Sequence, residues 1–469
     1  MEESLSFDEY GENQMTDREM IVEMVEKARD AQKEFAQFPQ DKVDKIVRAA
    51  GKVIFDHSEE LAKMDFEETG MGTYESKVAM QSNRAKAFWH HMKGKKSRGI
   101  LRRIEEEGLI EIAKPMGVIG SITPVTSAVI SPMHNIMASM KCGNAVIVGP
   151  HPRSKKTSAR VVELMQAKII ELGAPEKLIQ IVKEPTIQLS TLIMELCDVC
   201  ISTGGPGVVK AAYTSGKPAY GVGAGNVQCL VDREMDIKDV VDKIIVARMH
   251  NQGIPCSCEQ FAHIPEELVD DYINEFEASG CHYIDDDTLI KKIRDTLFPE
   301  GEINKELVGQ SPYMIAQAFG ESIPEDTRVI VLKVTDYGDN EVLAKEKLFP
   351  VLALRAYKTW EEAVDAAEAN LAVMGKGHST TIHSKDSDRI EYAAEKISAS
   401  RFSINQSSTL VVGGTMRNGL VPTGTLGCGS WGNNSISENL DYKHLYNISR
   451  VVFEPKNNVD PTDEEVWGD

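Results

Sequence analysis

The chain has no apolar run long enough to cross a bilayer and no basic-then-apolar stretch at its start. Both absences argue against a membrane span and a secretory signal. It also lacks a positive balance: 52 lysines and arginines face 72 aspartates and glutamates, a formal net charge of −20. Such a chain is not drawn to phosphate backbones or anionic lipid, so neither nucleic acid nor a membrane is an expected partner. A paired-cysteine framework is missing as well. The 8 cysteines are scattered, most within apolar segments, as in a reduced compartment, and the expected location is cytoplasmic. Cys197-Asp-Val-Cys200 matches C-x-x-C, yet no second pair stands at zinc-finger spacing and D-V-C-I-S has the pattern of a buried strand. No metal site is expected. Internal repeats and low-complexity segments are also absent.

What is present is ample material for two or three domains: 469 residues, 42% hydrophobic and 26% charged. Polar residues through about Asn13 read as a loose tail. Thr16-Asp-Arg-Glu19 then forms a capping box ahead of Met20, Met24, Ala28 and Ala31 at helical spacing. A second helix carries Val43, Ile46, Val47, Ala50, Val53 and Ile54 on one face. From Gly117 to Asp232 short apolar runs alternate with amphipathic helices. Strands are predicted at Gly117–Ile122, Ala145–Val148, Leu178–Val182, Val199–Ser202 and Gln228–Val231. The helices between them are Pro132–Met140, Thr157–Leu172, Gln188–Leu196 and Gly207–Tyr213. That alternation predicts a parallel sheet covered on both faces, with a nucleotide site at the strand C-terminal ends. A second α/β stretch runs from about Asp236 to Asn418, and His444 to Phe453 reads as a strand able to pair with Leu109–Ala113.

The chemistry concentrates in Asn251-Gln-Gly-Ile-Pro-Cys-Ser-Cys-Glu-Gln260, where Gly253 and Pro255 prevent regular structure around a cysteine. A nucleophilic thiol needs access, thiolate character and donors for a developing oxyanion. Cys256 and Cys258 compete for the role on these grounds alone. Upstream stand V-G-P-H-P-R-S-K-K from Val148, S-T-G-G from Ser202 and P-A-Y-G-V-G-A-G-N from Pro218. Downstream stand K-E-K-L-F-P from Lys345, G-H-S-T-T-I-H from Gly377, R-F-S-I-N-Q-S-S-T from Arg401 and T-L-G-C-G-S-W-G-N-N-S from Thr425.

In that order and spacing the set resembles the CoA-acylating branch of the aldehyde dehydrogenase superfamily, over nearly everything from Asp17 to Phe453. It looks most like acylating succinate-semialdehyde dehydrogenases and the aldehyde half of aldehyde–alcohol dehydrogenases. The resemblance implies an α/β aldehyde dehydrogenase-like fold: a parallel-sheet nucleotide-binding domain, an α/β catalytic domain and a small oligomerisation arm. The expected division is residues 1–235 for the cofactor, including part of the arm near 100–113, then 236–420 for catalysis. Residues 421–469 return to the cofactor domain and supply the oligomerisation strand, and a homodimer or homotetramer is expected. The resemblance selects Cys256 as nucleophile and implies conversion of a short aldehyde, NAD or NADP and coenzyme A to an acyl-CoA through a Cys256 thioester. Acetaldehyde, succinate semialdehyde and sulfoacetaldehyde are the candidate aldehydes.

By the same resemblance, cofactor contacts are expected at Thr123, Pro124, His151, Pro152, Arg153, Thr203, Gly204, Gly205, Val208, Glu346 and Leu348. A hydrolytic relative carries a water-activating glutamate in the glycine-rich stretch, where this chain has Gly221. Losing a general base costs a factor of about a hundred or more, which favours a thiol acceptor over water. One departure stands out. The family's T-P-x-T-N-P reads here Thr123-Pro-Val-Thr-Ser-Ala128, so Ser127 stands where an asparagine amide would hydrogen-bond the oxyanion. Two rival readings remain: a hydrolytic dehydrogenase, and a weakly active scaffold of the same fold. Arg401 is a candidate for pairing with an anionic substrate tail or CoA phosphates, or a buttress of the fold.

Overall fold

Thr16 starts the first helix, Asp17–Phe35, by accepting a hydrogen bond from the Glu19 N–H while the Glu19 carboxylate accepts from the Thr16 N–H. That reciprocal cap satisfies two otherwise orphaned donors. The computed structural model describes residues 15–455 and 458–468, so the tail expected through Asn13 lies outside the described residues. In the helix Gln40–Asp56 the predicted apolar face is buried at Val43, Ile46, Val47, Ala50 and Ile54, with Val53 at its margin.

Helices cover a parallel sheet of five strands in the spatial order Ile179–Ile181, Ala145–Gly149, Val118–Ile122, Val199–Thr203, Ala219–Val222. Every residue of Val118–Ile122 and Ala145–Gly149 is buried, as expected of strands packed on both faces. A second parallel sheet has seven strands in the order His282–Ile284, Ile330–Lys333, Val351–Tyr357, Glu259–Pro265, Val227–Val231, Thr380–His383, Phe402–Ile404.

The strand Val227–Val231 corrects the sequence reading, which had placed it with the first sheet. It lies between Glu259–Pro265 and Thr380–His383 in the second. The fifth place in the first sheet belongs instead to Ala219–Val222, a short run the sequence reading passed over. Only residues 223–226 lie between these two strands. A parallel neighbour needs a crossover of a dozen or more residues, so the second strand must leave for the other sheet. The chain passes from one sheet to the other through Gly223-Ala-Gly-Asn226.

A third, antiparallel sheet joins Gly99–Ile104, Leu109–Pro115 and Tyr446–Val452. Its outer residues Ile100, Ile448, Val451 and Val452 are exposed apolar side chains. Just before its last strand, Leu440, Tyr442 and Leu445 enter the core of the five-stranded unit. No helix among the described residues is long and apolar enough to cross a membrane.

Candidate active site

The helix Ile237–Met249 ends in a turn, His250–Gly253, that delivers Cys256 ahead of the buried strand Glu259–Pro265. Asn251, Gln252 and Gly253 all have positive φ, at 47°, 55° and 72°. Left-handed backbone is costly for the two non-glycine residues, by about 1–2 kcal/mol each, so the surroundings must hold it. Asn251 Oδ1 accepts from the Thr73 N–H at 3.0 Å. Arg248, fully buried, donates from Nη1 to Glu259 O and from Nη2 to Gly253 O, both at 2.9 Å, and from Nη2 also to Lys347 O and Phe349 O. One guanidinium thus ties the cysteine turn to the segment carrying Glu346.

The two competing thiols separate by access. Cys258 is fully buried, whereas Cys256 is half-buried and its Sγ lies 3.2 Å from His378 Nε2. His378 is the residue the sequence reading missed. It quoted the Gly377–His383 segment without giving the imidazole a role, and 122 positions separate the two groups along the chain. Burial, assisted by the Arg401 charge, pulls His378 down to about 3, so the imidazole is neutral. Burial, then the neighbouring Glu346 carboxylate, pushes the Cys256 thiol well up. The resting pair is a neutral thiol beside a neutral imidazole.

Arg401 holds the His378 backbone in place. It is only 3% exposed and donates to His378 O at 2.7 Å, Asn439 Oδ1 at 3.1 Å and Ser379 Oγ at 3.3 Å. Of the roles considered from the sequence, buttressing fits these contacts, and pairing with a substrate tail or CoA phosphate does not.

Glu346 is half-buried and accepts from the Gly225 N–H at 2.8 Å, while loss of solvent around it raises its carboxyl to about 7. Gly225 explains the glycine-rich stretch. A Cβ there would lie 2.1 Å from the Cys256 carbonyl oxygen, so only glycine admits the backbone this close to the nucleophile. Gly221 is filled differently. A Cβ at that position would meet the Tyr213 ring at 2.8 Å and Val209 at 3.0 Å, which leaves no room for a glutamate. Leu348 packs with Met71, Ile254, Val308 and Val125.

The remaining sequence candidates gather at the C-terminal edge of the five-stranded sheet. Thr123 and Pro124 follow Val118–Ile122; His151, Pro152 and Arg153 follow Ala145–Gly149; Thr203, Gly204 and Gly205 end Val199–Thr203. His151 Nδ1 accepts from the Arg153 N–H at 3.1 Å, and Arg153 Nη2 reaches Thr69 O at 3.4 Å. Two helices begin on this edge and differ in one respect. The N–H groups of Lys156 and Thr157, opening Lys155–Glu171, are taken by the Glu68 carboxylate at 2.8 and 2.7 Å. The helix Pro206–Thr214, capped by Gly205, has no side-chain cap, and a Cβ at Gly205 or Gly207 would meet nothing within 4 Å. Val208 follows, partly exposed. The buried hydroxyls of Thr123 and Thr203 have no partner among the described residues. An open helix N-terminus with orphaned hydroxyls beside it fits a pyrophosphate-bearing cofactor.

Ser127 closes a single helical turn, Val125–Ser127, and lines a small cavity with Lys77, Met80, Gln81 and Asn251. Its hydroxyl makes no hydrogen bond among the described residues, so it is free to act as a donor.

Comparison with known proteins identifies the family. The profile of the aldehyde dehydrogenase family matches residues 6–280. The acetylating succinate-semialdehyde dehydrogenase of Clostridium kluyveri is 47% identical over 454 residues, covering 97% of this chain and 100% of the relative. The crystal structure of an acetylating aldehyde dehydrogenase from Geobacillus thermoglucosidasius superposes with a TM-score of 0.90 at 34% identity, over 93% of this chain and 97% of that one. A Rhodopseudomonas palustris propionaldehyde dehydrogenase, solved with bound CoA and an acylated cysteine, gives 0.82 at 25% identity, over 93% and 98%.

Proposed function

The chain belongs to the CoA-acylating branch of the aldehyde dehydrogenase family, and we propose from this premise that its aldehyde is succinate semialdehyde and its nucleophile Cys256. The reaction of the branch is oxidation of a short aldehyde to its CoA thioester with NAD or NADP. Whole-length similarity to the Clostridium kluyveri enzyme supports the four-carbon aldehyde. The observation that carries the site assignment is the half-buried Cys256 thiol 3.2 Å from a neutral His378 imidazole.

In this reading Cys256 Sγ attacks the aldehyde carbon while its proton passes to His378 Nε2. The Cys256 N–H and the Ser127 hydroxyl would donate to the oxygen that gains charge. Bound NAD(P)+ would supply the hydride acceptor needed to take the adduct to a Cys256 thioester, and the proton held by His378 passes to solvent. CoA sulfur then attacks the thioester carbonyl as its thiol proton passes to His378 Nε2, and Cys256 Sγ leaves and takes that proton back. Because burial disfavours the imidazolium, His378 holds that proton only in passing and is neutral again after each half-reaction. The filled position at Gly221 excludes a glutamate that would direct water at the thioester. The helix Pro206–Thr214 would receive the pyrophosphate, with Thr203, Gly204, Gly205 and Val208 around it. Thr123, Pro124, His151, Pro152 and Arg153 would line the rest of the cofactor, and Glu346 and Leu348 its nicotinamide end. The exposed apolar residues of the antiparallel sheet suit an oligomerisation arm covered by a second copy of the chain.

The test is NAD+ and NADP+ reduction with succinate semialdehyde, sulfoacetaldehyde and acetaldehyde, each with and without CoA, beside Cys256→Ala. Reduction that needs CoA and Cys256 and is fastest with succinate semialdehyde supports the reading. A faster rate with another aldehyde reassigns the substrate. Free succinate formed at the same rate without CoA defeats the acceptor assignment.

A further inference from the structure

Ser127 and Asn251 share a small cavity with Asp65, Lys77 and Gln81, and the space has room for about one water molecule. Lys77 and Gln81 stand one turn apart on the helix Tyr74–Met92, and Asp65 comes from the helix Ser58–Thr69. The cavity lies against the nucleophile's turn on two counts. Asn251 belongs to that turn. Val125, which opens the same single helical turn as Ser127, packs on the cluster containing Ile254, two positions before Cys256.

The polar side chains around this space do not satisfy one another. Gln81 is only 2% exposed, and its Oε1 is buried without a partner among the described residues. Lys77 and Asp65 form a buried ion pair at 2.7 Å, yet Asp65 Oδ1 takes no aligned hydrogen bond, so ammonium protons remain for another acceptor. Asn251 Oδ1 is committed to the Thr73 N–H. This surplus of acceptors bears directly on Ser127. A serine hydroxyl carries one proton and turns freely, so unpaired oxygens beside it draw that proton inward. Turned inward, the hydroxyl offers an aldehyde oxygen only lone pairs and cannot stabilise its developing charge.

We infer that this cavity holds a water molecule that sets the direction of the Ser127 proton, with Gln81 as the positioning residue behind it. The water donates one proton to Gln81 Oε1 and the other to Ser127 Oγ, and its oxygen accepts from the Lys77 ammonium. Three hydrogen bonds are the usual number for a buried water. With its lone pair taken, Ser127 Oγ directs its own proton out of the cavity to the oxygen that gains charge, and a chain of bonds leading back to a cation strengthens that donor. This rests on the function proposed above, in which Ser127 donates to the oxyanion, and names what turns the hydroxyl outward. An asparagine at this position would carry its N–H donors on its own amide and need no such water.

The experiment follows CoA-dependent NAD(P)+ reduction, with whichever of the three candidate aldehydes wild type turns over fastest. It compares wild type, Gln81→Met, Ser127→Ala, Ser127→Asn and the two double variants, with thermal melts to establish that each is folded. Ser127→Ala should lower kcat about a hundredfold, the cost of an oxyanion donor. Gln81→Met, which keeps the length but cannot hold the water, should lower kcat about tenfold and leave KM within about threefold. In the Ser127→Ala and Ser127→Asn backgrounds the same change should cost less than about twofold, because a residue acting only through the Ser127 proton has nothing left to act on. A crystal structure of wild type, which decides independently of any variant, should show the water within hydrogen-bonding distance of Gln81 Oε1 and Ser127 Oγ. A tenfold loss repeated in all three backgrounds would overturn the inference and leave Gln81 as a packing residue. So would a wild-type structure without the water, or Gln81→Met turnover within about twofold of wild type. Ser127→Ala within about threefold of wild type would remove the Ser127 role and this inference while leaving Cys256 as nucleophile. A wild type inactive with all three aldehydes in the presence of CoA would remove the proposed function as well.

Discussion

Replacing Gly225 by alanine tests how the cysteine is placed. A Cβ built on Gly225 lies 2.1 Å from the Cys256 carbonyl oxygen, 2.8 Å from its carbonyl carbon and 2.9 Å from its Cβ. All three neighbours belong to the nucleophile's own backbone or first carbon, so no flexible side chain can swing away. Opening the shortest contact to about 3 Å requires the two backbones to part by about 1 Å. The Gly225 N–H that anchors Glu346 at 2.8 Å moves with it. A misplacement of about 1 Å at the reacting atom lowers turnover on the order of a hundredfold. We expect Gly225→Ala to lose about two orders of magnitude in kcat for CoA-dependent NAD(P)+ reduction. Its unfolding midpoint should fall only modestly, since the strain is local. Gly223→Ala is the matched control, because a Cβ there meets nothing within 4 Å. The rate of Cys256 alkylation by iodoacetamide provides a second readout and should change in Gly225→Ala alone. A Gly225→Ala enzyme with kcat within threefold of wild type would refute the argument that close backbone approach positions this thiol.

Three further expectations follow from contacts already described. His378→Ala should lower kcat/KM by about 10²–10⁴, the range for a proton-transfer group, while cofactor binding by fluorescence stays intact; activity within threefold would remove His378 from the proton path. Arg248→Met leaves the buried Gly253 and Lys347 carbonyls without their only partner among the described residues. At about 1–3 kcal/mol per orphaned group, it should destabilise the fold by about 2–6 kcal/mol in urea unfolding. The third concerns pH. Burial raises the Glu259 carboxyl to about 7 from an ordinary 4.5, so the folded state binds more protons than the unfolded state between those values. Stability should therefore fall as pH rises from about 4.5 to about 7 and level off above, by up to about 3 kcal/mol from this group. Glu259→Gln should flatten that slope in thermal melts across pH 5–8, and an unchanged slope would contradict the assignment.

Much of the site was legible in the sequence because its signals are local. Gly253 and Pro255 break the chain around Cys256 within a few residues, and the strands ending at Ile122, Gly149 and Thr203 each show as a short apolar run before a polar turn. What escaped depends on pairing between distant segments. His378 meets Cys256 only because Thr380–His383 lies two strands from Glu259–Pro265 in the seven-stranded sheet, and no local pattern encodes that order. The family resemblance had already selected Cys256 over Cys258, whereas the role of Arg401 rests on which carbonyls surround it. The placement of Val227–Val231 was within reach of chain-length reasoning, since a four-residue link cannot join parallel neighbours.

The antiparallel sheet also constrains how the protein is made. Gly99–Ile104 and Leu109–Pro115 can pair as soon as both leave the ribosome, but the outer edge of Leu109–Pro115 stays open until Tyr446–Val452 emerges. At about 5–20 residues per second, some 330 residues of further synthesis hold that edge uncovered for tens of seconds. Over the same interval Leu440, Tyr442 and Leu445 are missing from the first core. The nascent chain thus carries an unpaired β-edge beside an incomplete core through most of its synthesis. Lys114 places positive charge on that edge, where charge discourages pairing with the wrong strand.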